Sequence, residues 1–209
     1  MRTLLLVAIA LLVPSAALAA TPPEGEPLKV RRGFFTETDV GWFLTLGGDD
    51  DYSNLQPFLQ LGFGYDIKVV DAIGIGIGLH VGIGNSAANC YSGRPTNPDG
   101  SVNHDGPCPL TENFTVFFID LTVGPIIRMA ERFYLVPKII GGFTYLNPAP
   151  VALSGGEPID KAANIGGSLG VEYATNMDHF SIGLDVGARY VIGPGIFSLQ
   201  FYPRVKYTF

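Results

Sequence analysis

Two cysteines, Cys90 and Cys108, stand out in a chain of 209 residues. Both fall in one polar stretch between hydrophobic segments. In an oxidising compartment such a pair forms a disulfide that staples a single loop, worth roughly 3 kcal/mol on the chain-entropy account. A pair of free thiols is the alternative. The three histidines, His80, His104 and His179, fall in a strand, a loop and a turn. They are predicted to lie far apart, so neither a metal site nor a cofactor is expected. Gly166 to Gly170 spells G-x-S-x-G, but a nucleophile elbow needs a strand, a sharp turn and a helix, and here no helix follows. Gly82 to Ala87 spells G-x-G-x-x-A and opens a loop rather than a helix, which excludes a dinucleotide cradle. Asp49, Asp50 and Asp51 are adjacent and lack calcium-loop spacing. Asn113-Phe114-Thr115 is a glycosylation sequon in form only. A lipid-modifying barrel enzyme would need His, Ser and a carboxylate near one rim. His80 with Ser198 is the candidate pair, and nothing in the sequence brings the two together. No enzyme is predicted.

The remaining chemistry is charge that recurs on one side of alternating runs. Its acids are Glu37, Asp39, Asp66, Asp120, Glu172 and Asp185. Its bases are Lys138, Arg189, Arg204 and Lys206, with His80 among them. Charges taken out of water must be paired and hydrogen-bonded. Near-balanced charge in a narrow interior predicts a plug of salt bridges. A polar conduit or a carboxylate site is the functional alternative.

The elements that position these residues are strands. Residues 73–84 read IGIGIGLHVGIG, apolar at odd positions and Gly or His at even ones. Period two is the strand signature. Ten steps of about 3.3 Å give about 33 Å. Tilted by about 40°, that length crosses the roughly 25 Å apolar band of an outer-membrane barrel. The same alternation recurs over about 37–46, 59–67, 117–127, 133–145, 164–173, 180–190 and 197–209. Eight strands, an even count, predict an all-β closed antiparallel transmembrane barrel, since closure leaves no bare edge in lipid. A soluble sandwich would alternate equally well. Long strands, charges of both signs on one face, and a terminal outward aromatic favour the barrel. The glycines of the third strand should make room for Phe43, Phe58, Phe118 and Tyr202 across a lumen only wide enough for side chains.

Connections are predicted to alternate. Short ones cover 68–72, 129–132 and 176–178, and the longest run over 85–112 and 147–162. Outer-membrane barrels place short turns in the periplasm and long loops outside. The first residues are an address: basic Arg2, an apolar run over 4–13, then Ala17-Leu18-Ala19. The run is too short to span a bilayer and reads as a cleaved signal peptide over 1–19. A periplasmic N-terminal segment over 20–32 and a barrel over 33–209 follow. Loss of Arg2 leaves 12 basic against 19 acidic residues, which argues against nucleic-acid partners. The composition agrees with a lipid-facing barrel. Charged residues are 15% of the chain against roughly 25% in soluble domains, and the mean hydropathy is +0.28.

The eight-strand layout and the final run Phe201 to Phe209, ending Tyr207-Thr208-Phe209, resemble small outer-membrane barrels of Gram-negative bacteria. That resemblance implies that Tyr207 and Phe209 belong to the signal read by the barrel-assembly machinery. It also implies outer-membrane lipid and lipopolysaccharide as surroundings. Arg31 to Glu37, Tyr173 to Phe180 and Pro203 to Phe209 are similar to myxobacterial outer-membrane proteins named for adventurous gliding motility. This second resemblance implies a non-enzymatic structural or adaptor part of an envelope assembly, in gliding or adhesion, with other envelope proteins as partners. Transport or binding of small hydrophobic molecules is the competing expectation, and would need an apolar upper lumen. The charges on strands one, seven and eight predict a filled one.

Overall fold

A computed structural model describes residues 30–46, 53–87, 97–100, 113–147, 159–193 and 195–209. The expected signal peptide, Cys90, Cys108, His104 and Asp49 to Asp51 lie outside the described residues. Eight strands follow in order: β1 Phe34–Leu46, β2 Ser53–Val70, β3 Ile73–Ala87, β4 Asn113–Arg128, β5 Phe133–Asn147, β6 Lys161–Ala174, β7 Phe180–Val191 and β8 Ile196–Thr208. Each pairs antiparallel with its sequence neighbours, and β1 pairs with β8 to close the barrel. The connections after β2, β4 and β6 are short, beginning with a two-residue turn at Asp71 and Ala72. The β2–β3 hairpin is longer than the alternation predicts. A register shift between Lys68 and Val70 carries β2 beyond the expected turn at 68. At the other end, Gly193 and Gly195 take positive φ between β7 and β8, conformations that favour glycine.

The alternation sorts the two faces. Val40, Trp42, Leu59, Leu61, Leu121, Ile139, Phe143, Val186 and Phe201 are exposed on the outside. Glu37, Asp39, Asp120, Glu172, Asp185 and Arg204 are buried inside. Such a surface is unstable in water and suits hydrocarbon, where a closed barrel satisfies every backbone group. In the β4–β5 ladder, pairing runs from Thr115 to Val123 and resumes at Ile127. By the same register Pro125 faces Pro137, and neither has an N–H to donate. Gly124 fills this gap, lying so close to the Pro137 carbonyl that no Cβ would fit.

Candidate functional site: the lumen

The inward glycines create the space that the large side chains use. A Cβ on Gly82 would strike the Phe118 ring, and one on Gly84 would crowd Phe43 and Phe58. Gly41 lies against the Tyr202 backbone, and Gly62 against His80 and Glu37. The lumen is consequently filled in layers. Ile126, Tyr134, Val136 and Ala174 pack near the short-turn end. A charged layer lies above them, then the rings of Phe43, Phe58, Phe118 and Tyr202. Leu146, Ala162, Val191 and Ile196, with Val116 and Ile159, close the long-connection end.

Arg204 is the centre of the charged layer. Its guanidinium lies 3.7 Å from Glu37, 3.5 Å from Glu172 and 3.5 Å from Asp185. Lys138 bridges Glu37 at 3.5 Å and Asp185 at 3.7 Å. Lys206 reaches Asp66 at 2.5 Å and Glu172 at 3.6 Å. Gln60 donates to Asp39 at 2.9 Å. Higher up, Arg189 pairs with Asp120, and Asn164 donates to both Asp120 and Thr144 at 2.9 Å. The Arg189 guanidinium also sits 4.0 Å over the Phe118 ring. All eleven residues expected in a lumen network are therefore inside the barrel, in one large cluster and one satellite.

Sequence reading missed one principal member, Arg32. It precedes β1, at the end of the expected N-terminal segment. Its Nη1 enters the lumen mouth, 3.1 Å from Asp66 and 2.9 Å from Glu172, and its guanidinium covers the Tyr134 ring at 4.2 Å. Burial works against its charge, but Glu172 and Asp66 outweigh it and leave the pKa raised. The signal was available: Arg31-Arg32 abuts the first strand of an acidic chain whose lumen acids outnumber the bases contributed by its strands.

His80 is the residue with most chemical potential, and its partners differ from those considered. Ser198 does not meet it; the Ser198 hydroxyl donates to the Arg189 carbonyl at 3.5 Å. His80 Nε2 lies 2.5 Å from Glu37 and its Nδ1 3.4 Å from the Thr122 hydroxyl. Hydroxyl, imidazole and carboxylate thus stand in the order of a nucleophile relay. All three are buried, and the cavity touching Glu37 and Thr122 measures about 20 Å³, room for about one water. A scissile ester has nowhere to sit. Glu37, Asp39 and His80 also bring three ligand atoms within 4.8 Å of one another, a convergence that separation of the histidines did not anticipate. Lys138 already stands 3.5 Å from the same Glu37 oxygen that contacts His80. The positive charge beside this triplet is a lysine.

At the short-turn end Phe209 donates its N–H to the Phe34 carbonyl at 2.9 Å, and their rings lie 5.3 Å apart. Tyr207 packs between Phe180, Phe209 and His179, stacking on the last at 5.2 Å.

No protein-family profile matches the sequence, and no curated protein does. Solved structures do match. Neisserial surface protein A superposes with a TM-score of 0.53 at 12% identity, over 85% of this chain and 97% of that one. The outer membrane enzyme PagL gives 0.50 at 9% identity, over 84% and 99%. The attachment invasion locus protein Ail of Yersinia pestis gives 0.48 at 11%, over 84% and 98%. The likeness is one of fold. The first two share the closed-barrel fold with this chain, and at these identities no catalytic residue transfers from PagL.

Proposed function

We propose that this chain is a closed, non-enzymatic barrel of the bacterial outer membrane that serves as an anchored scaffold in an envelope assembly. The long connections would face outside and the N-terminus the periplasm. The observation that carries this reading is the lumen. From Arg32 at one mouth to Ile196 at the other, the described residues fill it with ion pairs and packed rings, and two cavities between them measure about 20 Å³ each. A barrel without a path or a reaction chamber acts through its ends. Its long connections, over 88–112 and 148–160, are the segments free to vary for recognition. Gliding or adhesion is the assembly that the sequence resemblance favours. Cross-linked affinity purification from native envelopes tests the proposal. A stoichiometric envelope partner should be recovered with the intact chain and lost when 88–112 is replaced by a short Gly-Ser connection. Recovery of no stoichiometric partner overturns it.

One observation favours a second reading. The layer nearest the long connections is apolar, the composition that a path for a hydrophobic molecule needs. A small hydrophobic molecule could bind over Leu146, Val191 and Ile196, and saturable binding of an apolar fluorophore by the purified barrel is the test.

A further inference from the structure

A cavity opens at the short-turn mouth, at the edge of the ion-pair lattice and sharing Arg32 with it. It measures about 190 Å³ and is formed by the segment at Val30 and Arg32, the tip of the β2–β3 hairpin, and the end of β4 with its following turn. Three cations line it, Arg32, Lys68 and Arg128, against two acids, Asp71 and Glu131. We propose that this cleft is a binding site for a phosphate group, carried by a lipid headgroup or by a free phosphate ester.

Four observations converge on that chemistry. First, the cations come from three separate elements, so the fold assembles them. Second, Arg32 is held in advance: Nη1 is tied to Asp66 and Glu172 and the guanidinium plane rests on Tyr134. Its Nη2 is buried and has no acceptor among the described residues. A guanidinium fixed on one side with a donor to spare is pre-organised for an oxyanion. Third, Arg128 donates Nε to the Ala130 carbonyl at 3.3 Å, and among the described residues no carboxylate bridges it directly, Asp71 acting on it at longer range. Lys68 has Asp71 at 2.6 Å, but Asp71 is fully exposed and free to swing away. Fourth, charge is unevenly distributed. Outside the lumen network, Arg31, Lys68, Arg128 and Arg132 gather at this end against Asp71, Glu131 and Asp178, in a chain whose net charge is −6. Exposed Val69, Val70 and Met129 flank the cleft. Apolar side chains beside cations at strand ends mark the depth at which headgroup phosphates lie. A phosphate offers three or more acceptor oxygens to three convergent cations, more than a carboxylate's two.

The proposal is independent of the scaffold reading. Its test uses the folded mature chain in a maltoside detergent, which carries no phosphate, with amide NMR at Ala72, Arg128 to Ala130 and Tyr134. Glycerol 3-phosphate is titrated in one arm and phosphatidylglycerol, doped into the micelles, in the other. Sodium chloride at matched ionic strength is the control. Saturable shifts at these amides are expected in at least one arm, and the tighter arm identifies the source. Lys68→Gln with Arg128→Gln, both exposed and outside the lumen network, should weaken binding about tenfold or more through loss of charge-assisted contacts. Lys161→Gln, at the opposite rim, should leave it unchanged. Absence of shifts in both arms, shifts reproduced by sodium chloride, or a double variant that binds as tightly as the parent would each overturn the proposal.

Discussion

The lower and upper halves of the lumen solve the same problem by opposite means. Both must fill a cylinder too narrow for solvent and too wide for backbone alone. The lower half uses a lattice of charge in which Arg204 meets three carboxylates and Lys138, Lys206 and Arg32 each meet two. The upper half uses rings and aliphatic side chains, with one isolated pair, Arg189 and Asp120, beneath them. Ion pairs hold geometry tightly but punish the loss of a partner, because the survivors remain buried. Apolar packing loses only contact area and leaves a void. The rigid half lies at the mouth where the N-terminal segment enters, and the adaptable half lies beneath the long connections. A scaffold that recognises partners through its loops would be built in this order.

The contrast predicts a ranking of substitutions. Arg204→Leu should be the most damaging, destabilising the barrel by about 3–5 kcal/mol, since Glu37, Glu172 and Asp185 lose their common partner. Arg189→Leu should cost less, because Asp120 keeps the Asn164 amide. Urea unfolding in detergent, followed by tryptophan fluorescence and gel mobility, measures both, and equal losses would erase the distinction between lattice and satellite. Leu146→Ala should cost about 2–4 kcal/mol. Unlike the charge deletions, it should create or enlarge a site for an apolar fluorophore, read by titration. If Leu146→Ala binds no probe, the upper half is as rigid as the lower one. The smallest expected effect is electrostatic and lies outside the membrane. Lys68 holds the Asp71 carboxyl below the usual aspartate range. In Lys68→Gln the Asp71 midpoint should rise toward its ordinary value, measured by side-chain carboxyl NMR against pH.

Much of this was legible because a barrel writes its facing into every second residue. The run from Ile73 to Gly84 carries strand, face and room for the lumen aromatics at once, while the particular pairing of Gly82 with Phe118 comes from the register. What alternation does not carry is height. Asp120 and Asp185 both read as inward acids, yet one belongs to the satellite and the other to the lattice. Without height, an apolar upper layer could not be separated from a charged lower one. Nor does alternation reach past the strand ends. Arg32 has no periodic neighbours on its N-terminal side, so its entry into the lumen depends on the carboxylates waiting there. His80 illustrates a third gap: its contact with Glu37 crosses from β3 to β1, and Gly62 on the intervening strand is what lets the two side chains touch. The opposed Pro125 and Pro137 show the same dependence on register, since each proline alone says only that a donor is missing.

The lumen is sealed by its own side chains. Single-channel recording of the purified barrel in planar bilayers is the direct test. No steady current is expected at moderate voltage in molar potassium chloride for the native chain, nor for Arg204→Leu, in which the rings above the lattice stay packed. Stable ohmic conductance from the native barrel would contradict it.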